Sequence, residues 1–176
     1  MELLFERGRR HEDAVVTGLR AAGSDVVSLE DEVADRPTLA ARTLAAMRQG
    51  REVIHQACFL RAGWVGFPDF LVRIEQPSEL GPWAYEVHDA KLGRRPQPRH
   101  VFQLLFYTDE LERLQGVRPA RMHLMLGNDE HPAFAPDDFA AYASKSSGRS
   151  PGRAPSPSMT CMRAGRTPCS RSRSSV

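Results

Sequence analysis

The sequence predicts a mixed α/β fold, and three observations carry that prediction. Two apolar runs, 64–74 and 83–92, flank the turn-rich Gln76-Pro77-Ser78-Glu79-Leu80-Gly81-Pro82 and read as a β-hairpin with a longer loop. Apolar residues recurring at three- and four-residue spacing predict helices over 2–22 and from about Arg99 to Gln115. The second helix leads into another apolar run within 118–127, so a strand, helix, strand unit follows the hairpin.

In the first helix Leu4, Gly8, His11, Val15, Leu19 and Ala22 share a face, and Gly23 is a plausible end. His11 on that face is either a core or half-buried histidine or a metal ligand; Glu12, one step round, is the weaker ligand candidate. Residues 25–29 read as a short strand, and 38–47, opened by Pro37 and closed near Gly50, as a helix. The run 52–60 is expected to be one strand, the first of a three-stranded meander and an edge of its sheet, with His55 and Gln56 facing solvent. Leu92 to His100 is a basic, proline-punctuated loop, a solvated connection or, beside a metal site, a phosphate clamp through Arg94, Arg95 and Arg99. Pro136-Asp137-Asp138 looks like a helix start leading into Phe139-Ala140-Ala141-Tyr142.

From Ala143 the chain turns to Ser, Arg, Pro and Gly, with ten serines and no acid. Such a segment cannot build a core, so 1–142 is expected to be the folded domain and 143–176 a disordered tail. A basic nucleic-acid-binding arm and a reading-frame change near codon 145 are the other readings of the tail. Seven of the Lys and Arg residues lie from Lys145 onward, which takes the +2 of the whole chain to −5 for residues 1–144. Any nucleic acid must therefore meet a local basic stripe rather than a globally positive surface. With 41% apolar and 26% charged residues and no long apolar run, the composition points to a cytoplasmic protein with no membrane partner. Its three cysteines, Cys58, Cys161 and Cys169, have no CxxC spacing and are expected to be free thiols.

The chemistry-bearing residues gather on the hairpin. Strand alternation puts Asp89 and Lys91 on one face, beside Asp69 on the first strand. Two carboxylates and a lysine suit a divalent-metal site acting on a phosphodiester, the acids holding Mg²⁺ and the lysine orienting the nucleophile or offsetting charge. Glu86, on the other face of the strand, is expected to play a supporting role at most. Gln103 and Tyr107, four apart, share a face of the following helix and read as packing or as part of the same site.

Taken in order, Gly8-Arg9-Arg10-His11-Glu12, Gly66-Phe67-Pro68-Asp69, Asp89-Ala90-Lys91 and Gln103-Leu104-Leu105-Phe106-Tyr107 resemble the RecB-like nucleases of the PD-(D/E)XK superfamily. The resemblance is nearest to a bacterial group in which the nuclease precedes a helicase region, and it covers about residues 1–142. It implies a restriction-endonuclease-like mixed sheet, in two or three layers, with the hairpin at its centre and helices flanking it. It further implies that His11, Asp69, Asp89 and the Ala90 carbonyl bind Mg²⁺ or Mn²⁺, and that Lys91 positions the attacking water and stabilises the pentavalent phosphate. Gln103 and Tyr107 would organise the site and contact the nucleic acid backbone. The implied activity is metal-dependent hydrolysis of DNA, single-stranded or from an end, in repair or recombination. Two departures stand against this background. Cys161 and Cys169 have unsuitable spacing for an iron–sulfur cluster, so none is expected in this chain, and no Gly-x-x-x-x-Gly-Lys-Ser/Thr motif of a helicase region follows. A truncated fragment, or an inactive nuclease-fold module that binds DNA, is the alternative for the domain, and a hydrolase of small phosphate esters is a further rival.

Overall fold

The computed structural model describes residues 2–30, 34–61 and 63–139. Helix α1 (Glu2–Ala21) is followed by strand β1 (Val26–Ser28), helix α2 (Arg36–Arg48), strands β2 (Val53–His55), β3 (Phe59–Arg61), β4 (Trp64–Gly66), β5 (Phe70–Ile74) and β6 (Ala84–Lys91), helix α3 (Pro98–Gln115), strands β7 (Met122–Leu126) and β8 (Ala133–Phe134), and a 3-10 turn at Pro136–Phe139. The order within the main sheet is β1-β2-β5-β6-β7-β8, with β3 and β4 paired separately. None of the described helices is long and apolar enough to cross a membrane.

The hairpin is at the centre of the sheet. Strands β5 and β6 pair antiparallel, with Phe70 opposite His88 and Val72 opposite Glu86. Strand β7 returns parallel to β6 after α3, as a strand, helix, strand crossover requires. Alternation along β6 then divides its side chains between two faces. Tyr85 and Val87 pack with Leu104, Leu105, Tyr107 and Leu111 of α3 and with Ala46 and Met47 of α2. Ala90 packs with Phe70, Val53 and Met125, and with Val16 of α1. The helices thus cover both faces, which makes three layers. Leu104 and Leu111, both fully buried, each contribute on the order of 1.5–3 kcal/mol to joining α3 and the sheet.

Local chemistry fixes the ends of these elements. Asp35 caps α2 by accepting the Thr38 N–H at 2.8 Å. Helix α3 stops at Gly116, whose φ of +71° closes its last turn. The neighbouring Gln115, fully buried, accepts the Tyr85 N–H at 2.8 Å and donates to the Tyr85 carbonyl at 3.2 Å, tying the end of α3 to the start of β6.

Four features differ from the sequence expectation. The hairpin's first run, 64–74, is two strands in different sheets, β4 and β5, with Asp69 just ahead of β5 rather than on a strand. The run 52–60 is two strands in different sheets, broken at Gln56, which adopts φ +54°. Strand β2 is not an edge either, because β1 pairs parallel to its outer side. His55 is buried, donating to or accepting from Ser28 Oγ at 2.9 Å, rather than facing solvent. The continuation of the helix start at Pro136, the domain boundary at 142 and the tail 143–176 lie outside the described residues.

Candidate active site

Asp69 precedes β5 directly, on the segment Gly66-Phe67-Pro68-Asp69 that crosses from the small β3/β4 ladder into the main sheet. Three interactions fix this segment. The Asp69 and Pro68 carbonyls accept the N–H groups of Gln56 and Ala57 at 2.8 and 3.1 Å. The Asp69 Oδ2 accepts the Ala90 N–H at 2.8 Å, holding the carboxylate across the mouth of β6. From α3, the Tyr107 hydroxyl donates to the Phe67 carbonyl at 3.1 Å while accepting from Gln103 Nε2 at 2.8 Å. The predicted Gln103/Tyr107 pair is thus joined to the segment that carries Asp69. Gly66 is required there, since a Cβ would come within 2.5 Å of the Trp64 ring and 2.7 Å of the Tyr107 ring.

Asp89 and Lys91 project from the α3-facing side of β6. The Lys91 ammonium is ion-paired with Asp89 Oδ2 and lies 3.9 Å from Asp69 Oδ2. Asp89 is fully buried, and among the described residues no hydrogen-bond donor reaches its Oδ1. Asp69, Asp89 and Lys91 are therefore one cluster of two acids and one base.

That balance shapes the proton affinities. Burial, then the negative charge of Asp89, pushes the Asp69 carboxyl up to about 8, with Lys91 opposing and Glu12 adding to the rise. Burial alone would weaken the proton on Lys91, but the charges of Asp89 and Asp69 outweigh it, so its pKa is raised and the ammonium persists. Burial raises the Tyr107 hydroxyl too, so it remains a hydrogen-bond donor. Burial and the cations of Lys91 and Arg99 lower His100.

Glu12 is the part that the sequence underrated. It reaches the end of β2 beside His55, and its Oε2 accepts from Gln56 Nε2 at 2.6 Å. The left-handed backbone of Gln56 is what turns that amide toward α1. The predicted stripe of α1 does face inward, with Gly8, His11, Val15 and Leu19 half-buried, but the inward side extends past it to Glu12, half-buried, and Val16, buried, while Ala22 is exposed. His11 stands apart, with a buried Nε2 that finds no partner among the described residues and a ring lining a different cavity with His88. Its ligand atoms do not close with those of Asp69 and Asp89 into a group within 4.8 Å.

Of the cluster, Lys91 lines a cleft of about 460 Å³ together with Gly8, Arg9 and Glu12 of α1, Ala90 of β6, and Arg99 and His100 of α3. Arg99 also borders a second groove of about 390 Å³, formed by Trp64, Phe102, Gln103, Phe106 and Tyr107. Phe106 is 52% exposed there and Phe67 nearby is 42% exposed. Of the other basic residues predicted to meet phosphate, Arg94 lines a separate hollow with Arg7 and His11, and Arg95 is exposed.

The residues suit a hard divalent cation. Asp69 and Asp89, one of whose buried oxygens meets no donor among the described residues, offer the hard oxygen ligands such an ion prefers, and Glu12 adds negative charge; neither Glu12 nor His11 closes with the two acids into a group of ligand atoms within 4.8 Å. Comparison of the chain with protein-family models, with curated proteins and with solved structures returned no match.

Proposed function

We propose that the chain is a Mg²⁺- or Mn²⁺-dependent nuclease of the RecB-like PD-(D/E)XK kind, built on a restriction-endonuclease-like sheet and hydrolysing DNA phosphodiester bonds in repair or recombination. One observation carries the reading: Asp69 joins Asp89 and Lys91 of β6 in a buried acid–acid–base cluster whose lysine lines an open basic cleft. A structural ion pair would need one acid, not two, and here burial first and the charge of Asp89 second push the Asp69 carboxyl up to about 8.

Asp69, Asp89 and the Ala90 carbonyl would hold the cation, with Glu12 adding charge from α1. When bound, the ion supplies positive charge to the scissile phosphate and acidity to a water molecule. Lys91 keeps its proton and donates to the attacking water or to a phosphate oxygen, where negative charge builds as the phosphorus becomes five-coordinate. Arg9 and Arg99 meet the flanking phosphates. Tyr107 and Gln103 hold the Asp69 segment and so act as positioning residues.

Openness of the cleft favours a polymer over a small phosphate ester. The adjoining aromatic groove of Trp64, Phe102 and Phe106 offers faces on which unpaired bases stack, so single-stranded DNA is the preferred substrate. A helicase region acting with the chain would supply such strands. The test compares turnover of labelled single-stranded DNA, duplex DNA and bis(p-nitrophenyl) phosphate with Mn²⁺ present. Preference for the single strand supports the reading, and turnover of the small diester alone overturns it.

A further inference from the structure

We propose that Glu86, His88 and His123 form a second metal site, for a transition-metal cation of the Zn²⁺ class, on the sheet face opposite Asp89 and Lys91. The strand register builds it. Glu86 and His88 are two apart on β6 and share the α1-facing side, and parallel pairing sets His88 directly across from His123 of β7. The two imidazoles stack with centroids 4.0 Å apart and planes 13° from parallel. Glu86 Oε2 lies 2.9 Å from His123 Nε2. One ligand atom from each of the three residues falls within 4.8 Å of the others. A tetrahedral ion with bonds of ~2.1 Å needs its ligands about 3.4 Å apart, a spacing to which the three side chains would close on binding.

The surroundings fit the role. Glu86 is 8% exposed, and its Oε1 accepts the Arg121 N–H at 3.1 Å, an orienting contact of the kind that ligating carboxylates receive. Two imidazoles and one carboxylate select a borderline cation over Mg²⁺. His88 borders a cavity of about 720 Å³ that is also lined by His11, Asp129 and His131, so the remaining coordination position is open to solvent. An ion there clips β6 to β7 within the strand that ends in Asp89 and Lys91.

The test uses the full chain stripped of metal and titrated with Co²⁺ as a Zn²⁺ probe, with Asp89→Asn present throughout to disable the oxygen-rich cluster. The expected result is the visible absorption of a low-coordinate Co²⁺ site, displaced by Zn²⁺ and weakened at least about tenfold by His88→Gln or His123→Gln. X-ray absorption on the Zn²⁺-loaded protein, which needs no substitution at the site, should show two imidazoles in the first coordination sphere. Absence of Co²⁺ absorption, an all-oxygen sphere around Zn²⁺, or equal binding by correctly folded His88→Gln and His123→Gln proteins overturns the proposal.

Discussion

Asp69→Asn should stabilise the metal-free fold, and do so more as pH rises. In the folded chain the Asp69 carboxyl holds its proton up to about 8, whereas the unfolded value is near 3.8. Between those values the native state binds more protons than the unfolded state, so stability falls with increasing pH; below about 4 the loss is absent and above about 8 it is complete. One proton linked in this way gives a slope of at most ~1.4 kcal/mol per pH unit. Lys91 stands close and opposes the rise, so we expect a loss of about 2–3 kcal/mol between pH 5 and pH 8. Asparagine has no such proton to lose, and its side-chain oxygen still accepts the Ala90 N–H. Urea denaturation of both proteins, with chelator present, at about pH 5, 6.5 and 8 reads the effect as diverging midpoints. Parallel pH dependences, or an Asn variant weaker at every pH, would refute the electrostatic account of the cluster. Mg²⁺ should reverse the trend, stabilising the wild type more at pH 8 than at pH 5, because it replaces the proton as counter-charge.

Tyr107→Phe removes the bond to the Phe67 carbonyl; we expect a stability loss of about 1 kcal/mol and a fall in kcat of roughly tenfold, with KM for DNA little changed, in steady-state kinetics. Gly66→Ala pushes a methyl into the Trp64 and Tyr107 rings and should cost about 1–3 kcal/mol in the same denaturation assay. Glu12→Gln keeps the size of the side chain but removes its charge, and calorimetric titration should show Mn²⁺ binding weakened about tenfold.

Strands β5 and β6 were legible because alternation and the Pro/Gly-rich turn between them are local signals, as were the amphipathic spacing of α3 and its end at Gly116. The break at Gln56 was not. Apolar alternation runs through it, and a left-handed φ at a glutamine leaves no compositional trace. Strand β8 has two residues, too few for any period. Asp89 and Lys91 follow from period two alone, but Glu12 lies beside the predicted stripe of α1 rather than on it, and how far the inward side extends round the helix is decided by packing against Val53, Phe70 and Ala90. Spacing did hold one signal for it: Gly8, Glu12 and Val16 form a row of fours. The Glu86, His88 and His123 cluster was half visible, since Glu86 and His88 share a face in any strand. Adding His123 required the parallel register across α3, a long-range fact.

The central claim is that Asp69, Asp89 and Lys91 together cut phosphodiesters. Its most direct test is cleavage of end-labelled single-stranded DNA with Mg²⁺ by the wild type, Asp89→Asn and Lys91→Met, each confirmed as folded by circular dichroism. The account predicts metal-dependent cutting by the wild type and a fall of at least about a hundredfold in both variants. Cutting that survives both substitutions, or no cutting by the folded wild type, would contradict it.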